Sequence, residues 1–185
     1  TDAETLAEQA IAFGAKLAVI ADEAQLETLR GLLATTDIEC AAGDHAIVEA
    51  AARPCDLLMA AIVGAAGLAS TIAAIGKGTD VAIANKESIV CAGHIMKREA
   101  EKSGSTILPV DSEHNAIFQV LQAGKALEGL TITASGGPFL NWTRDDMKVA
   151  TPDQAAAHPN WDMGIKNSID SATLMNKACL LYPSP

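Results

Sequence analysis

The sequence predicts an α/β protein built on a doubly wound parallel, Rossmann-like sheet and followed by the start of an α+β region. Three observations lead there. Short apolar runs alternate with stretches of helical spacing, the pattern of strands covered by helices on both faces. Hydrophobic residues make up 49% of the 185 but aromatics only 3%, and 26 of the 36 alanines precede position 101; a β-sandwich would rely on aromatic and β-branched residues instead. After position 102 the texture changes, and motifs rich in Ser, Gly, Asn and charged residues take over.

The elements follow in order. Ala3 to Phe13 has helical spacing through Leu6, Ala10 and Phe13, with Thr1 as a cap and Gly14 as the residue after the helix. Leu17-Ala18-Val19-Ile20 is a buried strand, and 24–33 is a helix. A short strand is expected near 38–40, a helix near 44–53, a strand over 57–63 and a helix over 65–75. The Gly76-Lys77-Gly78 turn leads to a strand over 81–84 and a helix over 87–102. Ile107-Leu108-Pro109-Val110 reads as a further strand before the helix-like Ala116 to Leu121. Leu57 to Gly76 runs for twenty residues without a charge, long enough to suggest a membrane span. Its Ala and Gly content, divided at Gly64 and Gly67, fits a buried strand, turn and helix better.

Charge narrows the function. The net charge is -10, and residues 1–60 carry eleven acidic against three basic side chains. A general nucleic-acid binder needs a basic face, so that class is excluded, and an anionic ligand is expected to meet the later residues. Four scattered cysteines with no C-x-x-C pair suit a reduced chain without a disulfide framework or zinc site. The acidic start is unlike a signal peptide.

Chemistry concentrates late. Val63-Gly64-Ala65-Ala66-Gly67 is a G-x-x-G turn rather than a dinucleotide fingerprint. Asp111 and Glu113, two apart at a strand end, would aim two carboxylates at one point, as Mg²⁺ or Mn²⁺ would need. The alternative is helix capping, with Asp111 or Ser112 as N-cap and Glu113 in the first turn. Ser135-Gly136-Gly137 offers backbone N–H groups and a hydroxyl to a phosphate, or is simply a turn. His158 to Gly164 is a loop with a Trp that suits a water-excluding lid or ordinary packing. Ser171, Asn176 and Lys177, within two helical turns, suit a phosphate monoester or a solvated helix face.

Five segments in order, Ala84-Asn85-Lys86-Glu87-Ser88, Leu108 to Gln119 with its Asp111-Ser112-Glu113-His114-Asn115 core, Ser135 to Phe139, His158 to Gly164 and Asp170 to Lys177, closely resemble the 1-deoxy-D-xylulose 5-phosphate reductoisomerase family. The resemblance runs from about residue 1 to Lys177. It implies isomerisation of 1-deoxy-D-xylulose 5-phosphate and NADPH-dependent reduction to 2-C-methyl-D-erythritol 4-phosphate, a step of non-mevalonate isoprenoid synthesis, with Mn²⁺ or Mg²⁺. It further implies metal ligation by Asp111 and Glu113 and NADPH contacts at Asn85, Glu87 and Gly164. Substrate contacts fall at Lys86, Ser112, Glu113, Ser135, His158, Ser171, Asn176 and Lys177, of which Lys86, Glu113 and His158 are the catalytic candidates. Trp161 and Met163 would cover the site. A homodimer is implied for the full-length protein, in a bacterial cytoplasm or plastid stroma, with no nucleic-acid or membrane partner.

Three departures shape further expectations. The family's glycine-rich NADPH fingerprint would precede Thr1, so residues 1–110 are expected to be a cofactor domain lacking its first βαβ unit. Residues 111–185 would then be an incomplete catalytic domain. Leu180 stands where the family places a third metal carboxylate, and the text from Ala178 to Pro185 departs from the family. The chain is therefore expected to be an inactive fragment of such an enzyme; the alternative is a non-catalytic phosphate-binding protein derived from the family. Another nucleotide-dependent oxidoreductase would leave the Asp-Ser-Glu-His and Asn-Trp-Asp-Met-Gly motifs unexplained together.

Overall fold

A computed structural model describes residues 2–121 and 128–181. Thr1, expected as a cap, and residues 182–185 of the divergent tail lie outside the described residues. Asp2 caps instead, its carboxylate accepting from the N–H groups of Glu4 and Thr5.

Helix α1 (Ala3–Ala12) buries Ala3, Ala7 and Ala10, spaced to share one face. Phe13, expected on that face, is 85% exposed because it follows the helix as its C-cap residue. β1 (Leu17–Ile20) pairs in parallel with β2 (Glu39–Ala42), and α2 (Leu26–Leu32) lies between them in the chain. Ala18, Ile20, Leu29 and Leu33 complete this first core with the α1 alanines. Alanine lets helix and strand backbones approach closely, which is why so few large side chains suffice.

After α3 (Gly43–Ala51) come β3 (Leu57–Ala60), α4 (Leu68–Gly76), β4 (Asp80–Ile83), α5 (Lys86–Ser103) and β5 (Ile107–Pro109). The three strands form a parallel ladder in the order β3-β4-β5. Central β4 is the most enclosed, with Val81 and Ile83 both at 0% exposure, and they pack with Ala74, Ile75 and Met96 in a second core. The parallel α/β architecture stands as predicted, in two ladders with no strand pairing between them among the described residues.

Several expected boundaries shift, among them the helix expected over 65–75, which begins at Leu68. The strand expected over 57–63 ends at Ala60, because the Asn85 side-chain amide draws the carbonyls of Ile62 (2.6 Å) and Gly64 (2.8 Å) away from any ladder. Gly67 permits this: a Cβ there would sit 2.6 Å from the Ile62 carbonyl oxygen and 3.0 Å from Asn85 Nδ2. Helix α5 bends at Ala92 (φ -147°, ψ 24°) and ends on Gly104 in the left-handed region (φ 80°).

The later residues form short helices: α6 (Ser112–Leu121), α7 (Arg144–Lys148), α8 (Pro152–Ala156), α9 (Ile165–Ala172) and α10 (Met175–Leu181). Thr143 and Thr151 each open a helix with a reciprocal capping box. No described helix is long and apolar enough to cross a membrane.

Candidate functional site

A cavity of about 870 Å³ opens where the C-terminal ends of β3 and β4 meet α6, α9 and α10. Crevices at this end of a parallel sheet are where α/β proteins bind ligands. Asn85, Lys86 and Glu87 reach it from the start of α5, Asp111, Ser112 and Glu113 from the start of α6, and Ser135 from its loop. Ser171 comes from α9, and Asn176 and Lys177 from α10. Trp161 and Met163 also line it. Of the residues singled out for the site, His158 and Gly164 do not line it: His158 bonds the lining Ser135, and Gly164 is the N-cap of α9.

Of the two arrangements expected for Asp111 and Glu113, the structure has the capping one. They are not paired on an extended strand, because α6 begins at Ser112. Asp111 Oδ2 accepts from the N–H of His114 at 3.4 Å, in the manner of an N-cap, and Glu113 falls in the first turn. Capping and a shared site coexist: both carboxylates still line the cavity. His114 Nδ1 lies 3.0 Å from Asp111 Oδ1, and its Nε2 lies 3.3 Å from the Leu180 carbonyl oxygen. The imidazole thus lies between the Asp111 carboxylate and the Leu180 carbonyl. Glu113 is bonded by the Lys177 ammonium. Burial pushes the Glu113 carboxyl upward, but the Lys177 hydrogen bond, its own backbone N–H and the charges of Lys177 and Lys86 outweigh that and hold it below the usual value.

Ser171, Asn176 and Lys177 do not share a helix as spacing suggested. Leu174 adopts a left-handed conformation (φ 59°) that ends α9 and starts α10 on a new axis. The break turns Asn176 and Lys177 back towards the cavity that Ser171 lines.

A hydrogen-bond chain runs through the Ser135 loop. His158 Nδ1 accepts from the N–H groups of Asn160 and Trp161, each at 3.2 Å, so a neutral His158 carries its proton on Nε2. That proton is donated to Ser135 Oγ at 3.1 Å, and Gly137 N–H donates to the same oxygen at 3.3 Å. Ser135 therefore donates its own proton to Ser171 Oγ, 3.3 Å away, and the Ser171 hydroxyl hydrogen is left to point elsewhere. The Trp161 ring stacks on His158 with centroids 4.9 Å apart, which fixes the imidazole plane. Gly137 (φ 62°) brings this loop against α9, since a Cβ would stand 2.9 Å from the Ser171 carbonyl oxygen.

Asn85, 4% exposed, spends its side chain internally: beyond the two loop carbonyls it bonds Ser88 Oγ at 2.9 Å and accepts from Ser88 N–H. The donor set also bears on a cation. Two carboxylates on one cavity wall are hard oxygen ligands, and Mg²⁺ is commonly held by one or two carboxylates with water and substrate oxygens completing the shell. Among the described residues no cluster of three His, Cys, Asp or Glu side chains forms a fuller cage. Leu180, 4% exposed, supplies only its carbonyl, to His114. Sequence spacing missed Lys166 and Asn167, which line the cavity from α9; a lysine in the first turn of a helix was the available signal.

Comparison with known proteins points to one family. Residues 1–93 match the family model described as 1-deoxy-D-xylulose 5-phosphate reductoisomerase, and residues 107–182 match the model of that enzyme's C-terminal domain. The reductoisomerase of Rhodospirillum centenum is 54% identical over 188 residues, covering 97% of this chain and 47% of the relative. That of Caulobacter vibrioides is 55% identical over 176 residues, covering 94% and 44%. The Zymomonas mobilis reductoisomerase, solved in complex with NADPH, superposes with a TM-score of 0.87 at 48% identity, covering 97% of this chain and 46% of that one. A reductoisomerase complex with NADPH, fosmidomycin and magnesium gives 0.86 at 40% identity, covering 97% and 47%. The chain thus spans about half the length of the relatives it matches.

Proposed function

The chain belongs to the 1-deoxy-D-xylulose 5-phosphate reductoisomerase family, and from that premise we propose that its cavity is the sugar-phosphate site of an NADPH-dependent, divalent-cation-dependent reductoisomerase. In this reading residues 1–110 contribute to cofactor binding and residues 111–185 to catalysis. One observation supports it above the others: the Asp111–Glu113, Lys86, Ser135–Ser171 and Asn176–Lys177 groups, dispersed over some ninety residues, line a single cavity.

The phosphate of 1-deoxy-D-xylulose 5-phosphate is received by the Ser171 and Ser135 hydroxyls, the Asn176 amide and the Lys177 ammonium. The Ser135 chain leaves the Ser171 proton free to donate. Lys86 and Ser112, which line the same cavity, would contact the sugar oxygens, and Lys86 adds positive charge beside Glu113. Asp111 and Glu113 would hold the cation, and Glu113, kept ionised by its neighbours, is ready to do so. When bound, the cation supplies Lewis-acid polarisation of the carbonyl and NADPH supplies hydride. Asn85, Glu87 and Gly164 bound the cofactor side. Asn85 acts there through the loop it holds, because its own amide is already committed. Trp161 and Met163, with His158 behind them, cover the cavity and limit water access.

The buried Leu180 favours a second reading, in which the chain holds the sugar phosphate without turning it over. One assay covers both. NADPH oxidation that requires both 1-deoxy-D-xylulose 5-phosphate and Mn²⁺ supports the enzyme reading. Calorimetric binding without oxidation supports the second, and the absence of both overturns the assignment for this chain.

A further inference from the structure

We infer that Lys166 is a positioning residue: its ammonium ties the first turn of α9 to Glu87 at the start of α5 and so fixes how far the α9 wall of the cavity stands from Lys86. For its ligand the inference rests on the sugar-phosphate reading above. Lys166 bonds Glu87, 79 residues away in the chain, and Asp170 Oδ2 at 2.6 Å. Glu87 and Asp170 are largely enclosed, with side chains 24% and 16% exposed, and Lys166 and Glu87 both line the cavity.

Local helix physics gives no reason for a lysine at this place. α9 has no side-chain N-cap and no acidic residue in its first turn, so the Lys166 charge faces the positive end of the helix unrelieved. Its partner on the same helix, Asp170, lies four residues towards the C-terminus, the less favourable order for such a pair. What compensates is the contact across the chain. Glu87, in the first turn of α5, stands where a helix favours a carboxylate. Burial raises the Glu87 carboxyl, yet the Lys166 hydrogen bond and the charges of Lys166 and Lys86 bring it below the usual value.

The far end of α9 is fixed independently, by the Gly137 backbone against Ser171 and by the Ser135–Ser171 hydrogen bond. Beyond the packing of its buried Ser168 and Ala172, the helix is therefore held at two places, at the Ser135 loop and at Lys166. Removal of the second leaves the start of α9 free to tilt about the first, which changes how far the Lys166–Asn167 side of the cavity stands from Lys86.

The test compares the chain with its Lys166→Met and Lys166→Arg variants by calorimetric titration with 1-deoxy-D-xylulose 5-phosphate and by amide hydrogen exchange over 165–172. Lys166→Met is expected to weaken binding by about three- to tenfold and to speed exchange in α9, while Lys166→Arg restores both. Parent-like binding by Lys166→Met, or an Arg variant no better than the Met one, overturns the inference. If the parent itself does not bind the sugar phosphate, the functional reading fails and exchange alone decides. Faster α9 exchange in the Met variant, restored by Arg, then supports the tether, and unchanged exchange overturns it.

Discussion

Residues 2–110 and residues 111–181 are held together in different ways. The first region has two apolar cores, in which Leu29, Ile75, Val81 and Ile83 are completely enclosed. In the second, the buried side chains among the described residues are Ser168, Ala172 and Leu180, and order comes from capping boxes, the His158–Ser135–Ser171 chain and ion pairs. One region is a scaffold that fixes the ends of β3 and β4, and the other is a set of polar groups gathered over those ends. The contrast teaches that stability and site chemistry are separable here, because few site residues belong to either core.

The largest expected effect tests the scaffold. Ile83→Ala removes an enclosed side chain from the central strand and is expected to cost about 2–5 kcal/mol in urea denaturation, whereas Val149→Ala, at a residue 76% exposed, changes stability by about 0.5 kcal/mol at most. Comparable losses would erase the contrast between the regions. Next, Asn85→Ala orphans the Ile62 and Gly64 carbonyls and is expected to cost about 1–3 kcal/mol, read in the same titration. This position joins scaffold to site, so a neutral result would show that the loop after β3 is held by something else. A smaller effect belongs to the second region: Thr151→Ala removes a cap that accepts from Gln154 N–H and is expected to cost about 1 kcal/mol, with exchange accelerated within α8.

The smallest effect is pH dependence. Glu87 is lowered from 4.5 when folded, since the Lys166 hydrogen bond and nearby positive charges overcome the opposing effect of burial. Its contribution is present above pH 4.5 and is lost as pH falls through the lowered folded value. Lys166 is raised from 10.5, because its hydrogen bonds to Asp170 and Glu87 overcome burial, which acts to lower it. Its contribution is present below 10.5 and is lost as pH rises through the raised value. The stability difference between the chain and Glu87→Gln is therefore expected to stay flat between about pH 5.5 and 9.5 and to shrink on either side, as followed by denaturation at several pH values.

The same contrast explains what could be read without coordinates. Apolar periodicity is local, so the first helix and the buried strand expected over 81–84 are legible from the sequence alone, although the helix buries Ala3, Ala7 and Ala10 and leaves Phe13 exposed. The strand at 57–63 was overrun because its end is set by Asn85, more than twenty residues later. Asp111 and Glu113 were legible both as a carboxylate pair and as a cap with a first-turn acid, and only the fold decides that a helix starts at Ser112. Spacing likewise hid the left-handed Leu174, which places Ser171 and Lys177 on different helices. Lys166 was missed because its partner lies 79 residues away. The family's motifs named the residues, and the tertiary fold brings most of them to one cavity.

The central claim is that polar groups of the second region, gathered at the strand ends of the first, bind a sugar phosphate. Calorimetric titration of the chain and of Lys177→Met with 1-deoxy-D-xylulose 5-phosphate in the presence of Mn²⁺ tests it most directly. The account predicts saturable binding by the chain and a loss of about tenfold or more in the variant, with the urea midpoint little changed. Equal affinity in the two proteins, or no binding by the chain, would contradict it.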